Sequence, residues 1–193
     1  IGDVVRYMPG VGIAQGEGNR DTPVLRGQAT TADFFVDGVR DDVQYMRDLY
    51  NVERVEAIKG PNAMVFGRGG AGGVLNRVTR QADWMPQGEL TMQLGSWDQR
   101  RVSGDGGWIV SPRVAARATG VYEDSGSYRD GVSVTRYGLN PTVAMRIGSR
   151  TVLRAGYEYF HDERTADRGV SSLDGAPLET DRGVFFGDPA SSP

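Results

Sequence analysis

The residue types best suited to chemistry are few. One histidine is present, His161, followed directly by Asp162 and Glu163. An imidazole beside carboxylates could relay a proton or help hold a metal, but a multi-histidine metal site needs more than one imidazole. Cysteine is absent, which removes thiol catalysis, disulfides and thiolate ligands. The run Gly67-Arg68-Gly69-Gly70-Ala71-Gly72-Gly73 offers backbone N–H groups of the kind that cradle anions. It lacks the Gly-Lys-Ser/Thr ending of a nucleotide-binding loop and any acidic partner for an enzyme, so it reads as a tight turn with close packing. Carboxylates are plentiful, yet no two sit in a context that would tune an acid/base couple. No catalytic and no metal-ligating residue is assigned, and the chain reads as a non-enzyme.

The elements that would carry other chemistry follow from composition and period. Across 193 residues, 22 Lys and Arg against 25 Asp and Glu leave a net charge of -3, which argues against nucleic acid as a partner. Glycine, at 28 residues, is about twice its average usage and points to turns and tight backbone approach. No apolar run approaches the ~18–20 residues of a membrane-spanning helix, which leaves alternating strands as the only spanning form. The chain opens at Ile1 without a leader and stops in Gly187-Asp188-Pro189-Ala190-Ser191-Ser192-Pro193, and both ends read as cuts in a longer protein.

Composition shifts near residues 81–88, dividing a first domain, 1–85, from a second, 88–193. In the first, Val24–Arg26, Phe34–Val36, Val52–Lys59 and Gly73–Arg80 have the Val, Ile and Phe content of short strands. Ile1, Val4, Val5 and Met8 fall at helical spacing, and 44–50 and 62–66 are helical candidates of one or two turns. This pattern predicts a small mixed α+β domain.

After Pro86 the period becomes two. Leu90, Met92 and Leu94 share one face, as do Tyr137, Leu139, Val143, Met145 and Ile147; segments around 100–108, 114–123 and 153–159 complete five strands. Tight connections at 109–112 and 148–150 alternate with long polar loops at 124–136 and from Asp162 onward. Short turns at one end and long loops at the other suit an outer-membrane barrel, while a sandwich with one wet face shows the same period. Trp97, Trp108, Tyr122, Tyr137, Tyr157 and Tyr159 lie near strand ends, as interfacial girdles do, and favour the barrel.

Asp37-Gly38-Val39-Arg40-Asp41, then Tyr45 through Glu56, Lys59-Gly60-Pro61 and Gly67 through Asn76 closely resemble the plug domain of TonB-dependent siderophore receptors, catecholate-type branch. Pro9-Gly10-Val11 and Leu25-Arg26-Gly27 match the same pattern in order. The resemblance covers roughly the first 80 residues. It implies an α+β plug followed by an antiparallel transmembrane β-barrel of about 22 strands, of which this chain would be a fragment: a truncated plug and the first five strands.

The implied function is uptake of ferric siderophores across the cell outer membrane. The implied partners are the siderophore, outer-membrane lipid and the TonB protein of the inner-membrane energising complex. The ferric siderophore is cargo, and no cofactor is expected. The outward apices of such plugs correspond to 15–20, 28–32 and 41–47. Within them Arg20, Gln28, Tyr45 and Arg47 are the expected ligand-binding residues, with Asp41-Asp42 opposing an anion. Arg26 and Arg54 are expected to ion-pair plug to barrel, with Glu53 and Glu56 open to local pairing. Two other readings stay open: the same scaffold with cobalamin, haem or a glycan as cargo, and a soluble β-rich binding module.

Overall fold

The computed structural model describes residues 2–14, 16, 18–29, 33–67 and 72–188. The expectations placed on Ile1, Gln15, 30–32 and the centre of the glycine run, 68–71, lie outside them. The chain divides into two compact units, Ile1–Thr79 and Arg80–Pro193.

The first unit contains helix α1 (Gly2–Val5) and strands β1 (Val11–Ala14), β2 (Thr22–Leu25), β3 (Gln28–Ala29), β4 (Phe34–Val36), β5 (Val39–Arg40), β6 (Val52–Ile58) and β7 (Val74–Thr79). A 3-10 helix spans Gly60–Phe66. β1-β2-β3 form an antiparallel meander, and a second sheet runs β5-β4-β7-β6, with β4 and β7 parallel. Adjacent residues on a strand point to opposite faces, so Phe34 and Phe35 seed two cores. Phe34 packs with Val5, Leu25 and Leu75, while Phe35 packs with Ala63 and Val74, its ring edge-on to Phe66 at 4.8 Å. The α1–β2 segment and the 3-10 helix thus cover the sheet from opposite sides. Gly72 and Gly73 permit this: a Cβ at Gly72 would run into the Leu25 carbonyl, and one at Gly73 (φ +138) would lie 2.6 Å from the Ile58 carbonyl oxygen.

One expected helix is absent. Residues 44–50 are irregular, because their backbone groups are claimed by side chains. The Arg47 guanidinium takes the carbonyls of Asp41, Val43 and Tyr45. The Asp48 carboxylate accepts from the N–H groups of Leu49 and Tyr50, at 2.7 and 2.9 Å. Such local capture competes with the i→i−4 ladder.

The second unit is a meander of β8 (Gln87–Leu94), β9 (Arg100–Ser111), β10 (Val114–Ser125) and β11 (Val134–Ile147), then β12 (Thr151–Gly156) and β13 (Tyr159–Arg164), with a small hairpin of β14 (Ser172–Leu173) and β15 (Ala176–Pro177). The expected fifth strand is interrupted. β12 and β13 both pair with β11 in one unbroken register, Thr142 opposite Gly156 and Leu139 opposite Tyr159. Between them stands Pro141, which has no N–H to give the ladder. Tyr157 N–H still donates to the Pro141 carbonyl at 3.1 Å, and the side-chain amide of Asn140 donates to the Tyr157 carbonyl at 2.9 Å in place of the missing bond. Residues 80–85, expected to end the first domain, fall in this unit. The Arg80 guanidinium reaches Asp105 at 3.0 Å, and Arg146 lies 3.6 Å from the Trp84 ring centroid.

The sheet is inverted relative to a water-soluble layer. On β10, Ala115, Arg117, Thr119, Val121, Glu123 and Ser125 are buried, whereas Tyr122 on the opposite face is exposed. Leu90, Met92 and Leu94 are 67–86% exposed, and Leu139, Val143, Met145 and Ile147 are exposed too. Among the described residues no helix is long and apolar enough to cross a membrane, which says nothing against strands.

Candidate functional site

The first unit's site is built on the segment 41–51. Its centre is the Asp41 carboxylate, whose Oδ2 accepts from Tyr45 Oη at 2.8 Å, Arg47 Nε at 3.1 Å and Arg77 Nη2 at 2.5 Å. Arg77 Nη2 also donates to Tyr45 Oη at 2.7 Å. The Arg47 guanidinium is held between two rings, 3.8 Å from the Phe34 centroid and 4.4 Å from that of Tyr45. β4 and β7 supply Phe34 and Arg77, and the irregular segment wraps itself around Arg47. Two guanidinium groups on one carboxylate leave a local charge near +1.

Burial shifts both the phenol and the guanidinium away from their ordinary values. Desolvation pushes the Tyr45 phenol above its ordinary value, partly countered by Arg77. It lowers the Arg47 guanidinium below its own, with Asp41 opposing the shift.

The structure brings three of the four expected ligand residues together. Arg20 Nη1 donates to the Gln44 side chain at 3.3 Å, Asp21 N–H donates to the Tyr45 carbonyl at 3.2 Å, and Arg47 N–H donates to Asp21 Oδ2 at 2.8 Å. The tip before β2 is therefore stitched to 44–47. Gln28 stands apart, exposed on β3. Arg47 differs from its expected placement: at 2% exposed it lies inside the unit, because its donors close the 41–47 loop from within. Asp41, expected to repel an anion, is neutralised by Arg47 and Arg77. Arg77 and its pairing with Asp41 escaped sequence reasoning, since 36 residues separate the two.

Arg26 occupies a β2–β3 hairpin turn at φ 51, with its N–H on the Gly10 carbonyl and its side chain exposed. Arg54 is 56% exposed and pairs locally, Nε to Glu56 at 2.8 Å and Nη1 to Glu53 at 3.8 Å. Asn76, then Arg54, hold the Glu56 carboxyl below its ordinary value by hydrogen bonding.

The second unit contributes a polar face. Arg101 on β9, Glu123 on β10, Arg136 on β11 and Asp162 and Arg164 on β13 form one line of alternating charge, with Glu123 accepting from Arg101 at 2.6 Å, Arg136 within 3.2 Å of Glu123, and Arg164 within 2.5 Å of Asp162. A second group joins Arg117 and Arg80 to Asp105, at 2.7 and 3.0 Å. His161 stacks on Tyr137, with ring centroids 4.9 Å apart. No cluster of three or more metal-ligating residues exists among the described residues. The arrangement can bind and position.

Residues 1–74 match the family model of the TonB-dependent Receptor Plug Domain. The chain is similar to the probable TonB-dependent receptor BfrD of Bordetella pertussis, 31% identical over 95% of this chain and 26% of the relative. It is also similar to the catecholate siderophore receptor Fiu of Escherichia coli, 31% identical over 89% of this chain and 23% of the relative. Among solved structures, the siderophore receptor PiuA of Acinetobacter baumannii superposes with a TM-score of 0.85 at 25% identity, covering 95% of this chain and 28% of that one. The chain thus spans about a quarter of the length of the curated relatives it matches.

Proposed function

We propose, from the match of residues 1–74 to the TonB-dependent Receptor Plug Domain, that this chain is part of an outer-membrane receptor that imports ferric siderophores. The second unit supplies opening strands of a transmembrane barrel of about 22. The observation that carries this reading is the inverted sheet, with Arg117, Thr119 and Glu123 buried while Leu90, Met92 and Leu94 face outward. Lipid is the solvent that makes such a sheet stable, because it accepts the apolar side chains and leaves the charged ones to the lumen.

The cargo is an anionic ferric chelate. Arg20 and Gln28 meet it on the apices. Tyr45 offers its ring, and Arg47 sets the position of that ring from behind. Neutralisation of Asp41 gives this surface the positive balance that an anionic chelate requires. Arg26, exposed, and Arg54, on exchanging its local Glu53 and Glu56 partners, pair with barrel carboxylates and release when force from the TonB protein draws on the plug. The receptor role is non-enzymatic.

The test is binding of a panel of ferric chelates to the full-length receptor in detergent, with cobalamin and haem as competitors, alongside fractionation of the cell envelope. Saturable binding of one chelate by protein in the outer-membrane fraction is expected. Recovery in the soluble fraction, with no chelate bound, would overturn the reading.

A further inference from the structure

Between the end of β7 at Thr79 and the start of β8 at Gln87 lie seven residues, 80–86, without regular structure. Side chains of three neighbouring strands pin them. Arg117 on β10 uses all three of its guanidinium nitrogens. Nε donates to Asp105 Oδ1 at 2.8 Å and Nη2 to Asp105 Oδ2 at 2.7 Å, a two-pronged hold on the β9 carboxylate, while Nη1 donates to the Gln81 carbonyl at 3.2 Å. Arg80 Nη1 donates to the same Asp105 Oδ2 at 3.0 Å, and its Nη2 lies 3.9 Å from Glu89. On β11, the Arg146 guanidinium lies 3.6 Å from the Trp84 ring centroid and is braced by donation from Nη1 to the Pro112 carbonyl at 3.0 Å.

Close approach and burial make this hold firm. A Cβ at Gly107, opposite Arg117 in the β9–β10 register, would lie 3.2 Å from Gln87 Cγ and 3.5 Å from the Met85 carbonyl oxygen, so glycine here lets the segment down onto β9. Ala82 is buried, and the Asp105 and Arg117 side chains are only 6% and 8% exposed. Water competes little for bonds so covered. The Arg117–Asp105 fork fixes the guanidinium plane and keeps its third nitrogen aimed at Gln81. One residue earlier the attachments change. Thr79 pairs with Val52 on β6, and its N–H and hydroxyl donate to Asp37 at 2.9 and 2.6 Å. Asp37 is exposed, so those two bonds face water. Successive residues, Thr79 and Arg80, are therefore tied to different units.

We propose that residues 80–86 are a strap fastened to the strands, and that withdrawal of the first unit ends at Thr79 because Arg117, positioned by Asp105, and Arg146 hold the strap in place. The proposal rests on the receptor reading above for the force that acts on the first unit. Load entering through that unit reaches Thr79, whose bonds to Asp37 travel with it. Arg80, Gln81 and Trp84 then meet three strands at once and share the load among them. Beyond the strap the next element to bear load is β8, which among the described residues pairs with β9 alone. A strand peeled from its end loses its ladder bonds one pair at a time, whereas the holds on the strap must break together. The strap thus keeps the pull on the first unit from unzipping the sheet.

The test is force spectroscopy on the full-length receptor in a phospholipid bilayer, drawn by its N-terminus with neither chelate nor TonB protein present. Wild type should pause once the chain is free to Thr79 and then release 80–86 in a separate step of about 25 Å, seven residues at ~3.3–3.6 Å each. R146Q takes the cation off Trp84 and should shorten the pause several-fold at a given load. R117Q breaks both the fork and the Gln81 bond and should abolish the pause, so that the preceding event lengthens by the same step. R117K keeps the charge without the fork and should fall between. Heat-modifiable gel mobility like that of wild type shows that a variant's barrel has formed; where R117Q forms none, R117K and R146Q are judged by the same criterion. A wild type that releases without a pause at Thr79, or formed variants whose pauses all match wild type, would overturn the strap. A separate step in a receptor that binds no ferric chelate sinks the import proposal and leaves the strap standing; chelate binding by a receptor with no such step does the reverse.

Discussion

Replacing Arg47 with alanine should open the 41–51 segment without unfolding the unit. The guanidinium donates to Asp41 Oδ2, the Asp41 carbonyl, the Val43 carbonyl at 2.6 Å and the Tyr45 carbonyl at 3.2 Å, and it lies between two rings. Breaking a buried charge pair costs ~3–5 kcal/mol when a charge is left behind. Here Asp41 keeps Arg77, at 2.5 Å, so the lower end applies. A cost of about 3 kcal/mol corresponds to roughly a hundredfold rise in the population of the open segment, at ~1.4 kcal/mol per tenfold. Amide hydrogen exchange on the full-length receptor reads this directly, as faster exchange at Asp21, Arg47 and Val52, whose N–H groups close the segment. β7 amides, deeper in the sheet, should change little. Lysine at position 47 keeps the charge but loses the fork, so it should fall between wild type and alanine. Exchange in R47A within about threefold of wild type would show that the segment is held by something other than this guanidinium.

Replacing Leu139, 54% exposed on β11, with arginine should cost ~2–4 kcal/mol if that face meets lipid near the midplane; the folded fraction on heat-modifiable gels reports it, and an unchanged fraction would argue against lipid contact. Because its neighbours depress the Glu56 carboxyl, the folded state gains stability above the ordinary value of 4.5 and loses it as pH falls through the lower folded value. E56Q should therefore flatten the acid side of β6–β7 stability, measured as intrinsic-rate-corrected exchange; an acid limb as steep as wild type would contradict this. Asn140→Ala removes the bond that stands in for the proline N–H and should cost ~1 kcal/mol locally. Adding Pro141→Val, which restores the N–H, should recover most of it, and a double variant no better than N140A would refute the substitution of one bond for the other.

Much of the organisation was legible in the sequence, for reasons that are local. Period two over 87–94 and 134–147 requires only that neighbouring residues prefer opposite environments, and the turns at Gly38, Gly148 and Gly175 require only a residue tolerant of positive φ. The ordered blocks from Asp37 to Asn76 were enough to mark the plug. Segment 44–50 shows where such reasoning stops: helical spacing is present, but Arg47 and Asp48 take the backbone groups first.

The order of residues alone set the alternation of faces, the places where the chain must turn, and the family resemblance of its first 80 residues. Folding in three dimensions placed Arg47 inside, set an arginine 36 residues away against Asp41, and brought Gly126 onto the Trp97 carbonyl. Periodicity and turn propensity are short-range and act through each residue's own backbone and nearest neighbours. Charge pairing and cavity formation depend on which distant segments the packed sheets bring within a few ångströms, and that proximity exists only once the chain has folded.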